Sequence, residues 1–468
     1  MRIRNMKKTT KMVLALCATM GLGGCSLDVP DLNRVDAEDF EQNPTRASLN
    51  SAASGLLIGT RSGIATQNGY VSLLGVLGRE SYVLDTADPR YVGELLASPT
   101  LSSGSPAFGG NFWTAPYANI RNANTLLNAV EKVQGLTEAE KESYRGFAKT
   151  IQAMDFLVII NTRDTNGAPI DVNRAFDSDL APIMCKEQVL AHIARLLDEA
   201  KAHLEAAGGA VPIKLSSGFN GVSFIQFNRA LKARVDVYRQ DWNAALADVA
   251  ASFIDPTGPL DTGVYHAFGT GSGDTPNELN FNNERDVFVH PAIVADAEMQ
   301  ADDPATLDVD ESKNQDDRVL RKVTAAKEPR QWQGVGSSYS FKLYSSDTSP
   351  LPIIRNEELI LLRAEANLRL GNTGAAFEDI NDIRVRSGKL APLSGEQTEE
   401  SLINELLEQR RYSLLFEGGH RWIDMRRYGK LEELPKDVAG HNVHKSFPIP
   451  IAESDARQGD LTCVATGS

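Results

Sequence analysis

A chain of 468 residues, 42% of them hydrophobic, buries enough apolar surface for one large helical domain or two to three average ones, which excludes a disordered protein. Its 48 basic and 62 acidic residues leave a net charge of −14. Lys/Arg clusters occur only at the extreme N-terminus and in residues 410–427, so the basic face that a nucleic acid requires is missing and no nucleic-acid partner is expected.

Residues 1–24 have the order of a targeting segment. Arg2, Arg4, Lys7, Lys8 and Lys11 precede an apolar stretch, 12–23, that is too short to span a bilayer. Leu22-Gly23-Gly24-Cys25 closes it and resembles a bacterial lipobox. By that resemblance Cys25 becomes the lipidated first residue of the mature protein, and Ser26 beside it suits onward transport to the outer membrane; an ordinary cleaved signal with a chance cysteine is the alternative. Loss of five positive charges takes the chain from −14 to about −19. Cys185 and Cys463 are then the remaining cysteines. An oxidising compartment permits them to pair, but the sequence does not place them within bridging distance.

Residues 37–60 read as a helix with polar breaks, followed by a Gly/Ser-punctuated stretch to Gly110. A helix begins at Asn111-Phe112-Trp113, and Trp113, Tyr117, Ile120, Leu127 and Val130 keep helical spacing, which assigns Trp113 to the core. Residues 137–160 and 186–207 supply two further amphipathic helices, the first entered through Thr137-Glu138-Ala139-Glu140, the form of a capping box. A weak internal repeat is present. Aligning 233–237 onto 364–368 also superposes Ala244-Ala245 on Ala375-Ala376 and Asp248 on Asp379. Helix, tight turn and a helix opening on paired alanines is the logic of a tetratricopeptide unit, whose hairpins bury their apolar faces by stacking.

Residues 256–350 have a different texture. Residues 258–273 are rich in glycine, serine and threonine, 296–317 are strongly acidic, and loops are expected. Val287-Phe288-Val289 and Tyr339-Ser340-Phe341 have the composition of a small sheet or hairpin. The acidic run Asp308-Val309-Asp310-Glu311-Ser312 lacks the glycine and spacing of an EF-hand loop, and His441 and His444 lack a third ligand, so no metal site and no cofactor is assigned.

After Pro350 and Pro352, Asn356 offers a cap to a helix that opens with Glu357 and Glu358. Leu361, Ala364 and Leu368 share its face, Gly371-Asn372 stops it, and a second helix follows on Ala376, Ile380 and Ile383. The small Ala364 and Ala376 let the two lie close. A third helix spans 399–417, with Arg410 in line with Ile403, Leu407 and Leu414; a buried cation there needs an anion, and Glu417, two turns on, is the expected partner. Beyond Gly418-Gly419, Arg421, Trp422, Asp424, Arg426 and Arg427 crowd guanidinium and carboxylate around one ring. The expectation is a partly buried ion network of Arg410, Glu417, Arg421 and Asp424 that fixes how the last helices dock, rather than a catalytic centre.

The motifs of this region, taken in order, resemble the C-terminal half of the SusD/RagB proteins: Pro352-Ile353-Ile354-Arg355, Leu361-Leu362-Arg363-Ala364-Glu365-Ala366, Ile380-Asn381-Asp382-Ile383-Arg384-Val385-Arg386, Phe416-Glu417-Gly418-Gly419-His420-Arg421-Trp422-Ile423-Asp424-Met425-Arg426-Arg427, and Phe447-Pro448-Ile449-Pro450 with Glu453. Gln409, where the family usually has glutamate, and the absence of an Asn-Pro pair in 453–456 are departures. The resemblance implies a mainly α fold, an α/α superhelix of tetratricopeptide-like helical hairpins with a loop-rich insertion. Residues 25–468 would be one domain, divided into a helical part to 255, a ligand-binding insertion at 256–350 and a C-terminal helical part from 351. It further implies a lipid-anchored, surface-exposed outer-membrane protein that captures oligosaccharide, or peptide, and acts as the lid of a SusC-like TonB-dependent barrel.

No nucleophile elbow, His-Glu-x-x-His helix, Walker loop or dinucleotide fingerprint occurs, and no catalytic residue is assigned. A sugar site wants aromatic faces beside amide, carboxylate or guanidinium groups, on loops of a rigid scaffold. Arg330, Trp332 and Tyr339 in the insertion and Asp88 and Tyr91 in the early loop supply that mixture and are the candidate ligand-binding residues; packing against the scaffold is the competing role of each aromatic. A secreted glycan-degrading enzyme and a non-binding scaffold lipoprotein of the transporter are the alternative functions.

Overall fold

The computed structural model describes residues 42–104, 110–175, 177–280, 286–300 and 315–465, together with 40 and 108. The lipobox with Cys25 and the acidic run at 308–312 lie outside the described residues. In chain order the helices of the first half are α1 (Arg46–Gly59), α2 (Tyr70–Leu77), α3 (Arg90–Gly93), α4 (Asn111–Val130), α5 (Glu138–Arg163), α6 (Lys186–Ala206), α7 (Phe224–Arg239) and α8 (Trp242–Ala250). After them come α9 (Pro291–Ala295), α10 (Asp317–Lys322), α11 (Asn356–Arg369), α12 (Thr373–Gly388), α13 (Glu399–Ser413), α14 (His420–Arg427) and α15 (Ile451–Ala456). Short strands fall between them: β1 (Ser81–Val83), β2 (Ala168–Pro169), β3 (Ile183–Met184), β4 (Gly263–His266), β5 (Val287–Val289), β6 (Val323–Trp332), β7 (Val335–Phe341) and β8 (Leu351–Arg355). No described helix is long and apolar enough to cross a membrane.

Successive helices pack as stacked pairs, α4 on α5, α5 on α6, α6 on α7, α7 on α8, α8 on α11 and α11 on α12, so the mainly α, tetratricopeptide-like architecture is what the chain forms. The two repeat copies are α7–α8 and α11–α12, and each closes its hairpin with an ion pair in the same register. Lys232 Nζ lies 3.4 Å from Asp248, and Arg363 Nη2 lies 2.6 Å from Asp379. α5 begins with the capping box expected, the Thr137 hydroxyl accepting from Glu140 N.

Among the described residues the strands pair two by two, antiparallel: β1 with β5, β2 with β3, β4 with β8, β6 with β7. Both apolar runs of the insertion are therefore strands, but they belong to different pairs. They are joined sideways by the Ser337 hydroxyl, which donates to Val289 O at 2.6 Å.

Three expectations need correction. The stretch before Gly110 contains α2, whose eight residues are all buried. A helix apolar on every side has no period to read. The helix opening at Asn356 is capped by Arg355, without a side-chain bond. Asn356 instead reaches back: its Oδ1 accepts from Asp255 N at 2.9 Å and its Nδ2 donates to Asp255 O at 2.6 Å, clamping the start of the insertion to the helix that follows it. Finally, α13 stops at Ser413 rather than 417, because Phe416 takes φ +59° and stacks on Phe341 with centroids 3.8 Å apart.

Two large apolar clusters result. One lies among α1 and α4–α8 and contains Trp113, Phe147, Phe156 and Phe227; the other joins α2, the insertion strands and α14 through Tyr82, Phe288, Phe341, Phe416 and Trp422. Cys185, capping α6, is disulfide-bonded to Cys463, which ties the C-terminal segment to the first cluster.

Candidate functional site

The β6–β7 hairpin is closed by Gln333-Gly334, both at positive φ (+47° and +85°), the two-residue turn that matches strand twist and that glycine favours at its second position. This tip projects toward α3. A Cβ added to Gly93 would sit 3.6 Å from Gln333 Oε1. Between them opens a groove of about 700 Å³ lined by Pro89, Arg90, Gly93, Glu94, Ser98, Leu101 and Gln333, together with Thr100, Ser102 and Ser103.

The groove wall is held by hydrogen bonds rather than by regular structure. Ser102 N donates to Glu94 Oε1 at 3.0 Å, and the Ser98 hydroxyl donates to Thr100 O at 2.6 Å. Asn442, from the loop after α14, donates its backbone N–H to Leu96 O at 2.6 Å and its side-chain amide to Ser98 O at 3.1 Å. Arg90 grips Asp88 through two bonds, 2.8 and 2.6 Å, with its guanidinium 5.0 Å over the Phe108 ring. The Arg90 hydrogen bond holds the Asp88 carboxyl below its ordinary range. One guanidinium, one carboxylate, one amide and four hydroxyls thus surround a floor of Pro89 and Leu101. They offer donors and acceptors to a polyhydroxyl ligand.

The predicted site residues separate. Arg90 lines this groove, and Asp88 does not line it but holds Arg90. Tyr91 is 5% exposed and meets Phe108 edge-on at 4.9 Å, so its ring is part of the core and not a platform. Trp332 and Tyr339 are half-buried against the second apolar cluster, and neither lines the groove. The Trp332 Nε1–H is buried without an acceptor among the described residues. Arg330 faces a different cavity of about 210 Å³ with Phe288, Ser340 and Phe341, where it pairs with Asp286 and lies 5.4 Å over the Phe288 ring. Sequence reasoning missed Glu94 and the Ser98–Ser103 wall; Gly/Ser-rich composition marked the segment as loop but carried no sign of what it faces.

The ion network is also redistributed. Arg410 pairs with Glu365 at 2.7 Å and Asp424 at 2.8 Å, not with Glu417. Arg427 binds the same two carboxylates, at 2.5 and 3.0 Å, and the Tyr428 hydroxyl donates to Glu365 at 2.8 Å. Glu417 instead joins Arg355, at 2.9 Å, and Lys322, at 2.8 Å, in a second buried cluster with Glu357. Burial opposes the charge of Glu357, and Arg355 and Lys322 overcome it, leaving its carboxyl at about 2. Arg421 joins neither cluster and has no ion pair among the described residues. His441 and His444 are buried loop residues, and the described residues contain no group of three His, Cys, Asp or Glu side chains spaced to hold a metal.

Residues 294–460 match the sequence model of the SusD family. The C-terminal part of the chain thus resembles the SusD family. A SusD-like protein of Formosa agariphila is 32% identical over 103 residues, which make up 20% of this chain and 20% of that protein. Among solved structures, a SusD superfamily protein of Bacteroides vulgatus superposes with a TM-score of 0.65 at 16% identity, covering 88% of this chain and 97% of that one. A surface glycan-binding protein A of Bacteroides thetaiotaomicron, solved with laminarihexaose, superposes at 0.63 and 14% identity, covering 89% and 98%. At these identities the superpositions establish the SusD fold.

Proposed function

We propose that this protein captures oligosaccharide at the cell surface without chemical change and delivers it to a SusC-like, TonB-dependent outer-membrane barrel, over which it acts as a lid anchored through Cys25. The observation that carries the reading is the groove at α3, where Arg90, Glu94, Gln333 and the hydroxyls of Ser98–Ser103 converge on one open concavity of a SusD fold. The solved relative bound to laminarihexaose supports a glycan over a peptide. In this reading Trp332, Tyr339 and Tyr91 anchor the hairpin and the early loop, Asp88 orients Arg90, and Arg330 braces the strands beneath. A lid needs only to bind ligand better in its closed arrangement than in its open one.

Calorimetric titration of the chain begun at Ser26, against panels of oligosaccharides and peptides, tests the reading. Binding to an oligosaccharide that weakens about tenfold in Glu94→Gln or Gln333→Ala is expected, the loss of one good hydrogen bond. Release of shortened product would favour the glycan-degrading enzyme, and absence of binding to either panel would favour the scaffold. Co-purification of a barrel from outer membranes, with and without the glycan, tests the partner.

A further inference from the structure

A second cavity, walled by helices of the first half and by residues 265–274 of the insertion, shares no residue with the groove. It has a volume of about 260 Å³ between α1, α5, the start of α7 and β4. Its walls are aromatic: Phe219, Phe227, Tyr265 and Phe268. Its polar residues include two cations, Arg61 and Lys214, and one carboxylate, Asp274. Lys214 is exposed at the rim and has no ion pair among the described residues. Arg61, 9% exposed, is bound through Nη2 to Asp274 and lies 5.9 Å over Phe268, while its buried Nε–H has no acceptor among the described residues. Two cations against one carboxylate give this mouth the opposite sign to a chain of net charge −14.

The cavity continues inward. Thr60, Met154, His266 and Ile353 also wall a smaller chamber of about 80 Å³, lined further by Tyr70, Tyr238 and His420. His420 is 7% exposed, and its Nδ1 has no partner among the described residues. Burial, reinforced by the Arg61 charge, pushes His266 down to about 3, so a neutral imidazole separates the two spaces. Orphaned buried polar atoms are expensive, and a pocket with apolar walls and a few such groups is the usual form of a small-molecule site.

We propose that this paired cavity binds a small carboxylate with a flat apolar body, its ring between Phe219, Phe227 and Phe268 and its carboxylate on Arg61 and Lys214. A cation at the mouth selects the acid, aromatic walls select the flat body, and the inner chamber, whose mainly apolar wall carries Tyr70, Tyr238 and His420, receives a hydroxyl or amide substituent at the far end. The site is independent of glycan capture, so either can fail alone.

Phenylacetate and its neutral isostere phenylacetamide, titrated into the chain begun at Ser26 by ligand-observed NMR, test it. Phenylacetate should bind at millimolar or lower concentration and the amide about tenfold more weakly, the worth of one charge-assisted contact. Lys214→Ala, at an exposed position, and Arg61→Gln should each weaken phenylacetate about tenfold, while Gln333→Ala in the groove should leave it unchanged. No phenylacetate binding, equal binding of acid and amide, or binding indifferent to Lys214→Ala would overturn the proposal.

Discussion

Glu80 is a buried carboxylate with little support. It is 1% exposed, its Oε1 accepts only a long bond of 3.4 Å from Phe416 N, and its Oε2 has no partner among the described residues. Burial raises it to about 8 from the usual 4.5. The folded state therefore holds this proton more tightly than the unfolded chain. Its contribution to stability is complete below 4.5 and is lost as pH rises through 8, on the order of a few kcal/mol. Glu80→Gln should flatten the pH dependence of the melting temperature across that window, as calorimetry between pH 5 and 9 would read. Arg410 presents the opposite case, since removal of a buried guanidinium strands its anions. Arg410→Ala leaves Glu365 and Asp424 sharing Arg427 alone, and urea denaturation should show a loss of about 3–5 kcal/mol. That Arg410 needs an anion was legible from its place in a leucine stripe. Which anion was not, because Glu365 lies 45 residues away and Glu417 only seven.

Among the elements, those with period and caps were readable. α4, α5, α6, α11 and α12 carry an apolar stripe and end signals, and they form within a few residues of expectation. The repeat register was readable too, and α7–α8 and α11–α12 share it down to the ion pair. α2 was not, since its identity as a helix comes from what surrounds it. It is wedged against the turn before α14 so closely that a Cβ at Gly419, where φ is +71°, would fall 2.3 Å from Leu74 Cβ. Gly419→Ala combines a left-handed conformation with overpacking. It should cost about 2–4 kcal/mol, read as a lower urea midpoint with an unchanged slope.

At the scale of the molecule, the Cys185–Cys463 bond closes a separation of 278 residues. Closing so long a loop restricts the unfolded chain more than any local contact does. Cys463→Ser, or reduction of the unaltered protein, should lower stability by about 2–5 kcal/mol, seen as an earlier thermal transition in the presence of a thiol. Fragments in which α6 and the C-terminal segment are separated should not regain it.

The sequence by itself determined the helical class, the order of the hairpins, the repeat and the resemblance of the C-terminal part to the SusD family, because period, caps and short motifs are local and need no knowledge of distant chain. Only the tertiary structure decided how the charges are shared, which aromatic rings are core and where the groove opens. Those depend on residues far apart in the chain: Gln333 meets Gly93 only after the β6–β7 hairpin has docked, and Tyr91 is lost as a platform only because Phe108 folds against it. A side chain's chemistry is written at its own position, but its exposure is set by what the rest of the chain brings against it.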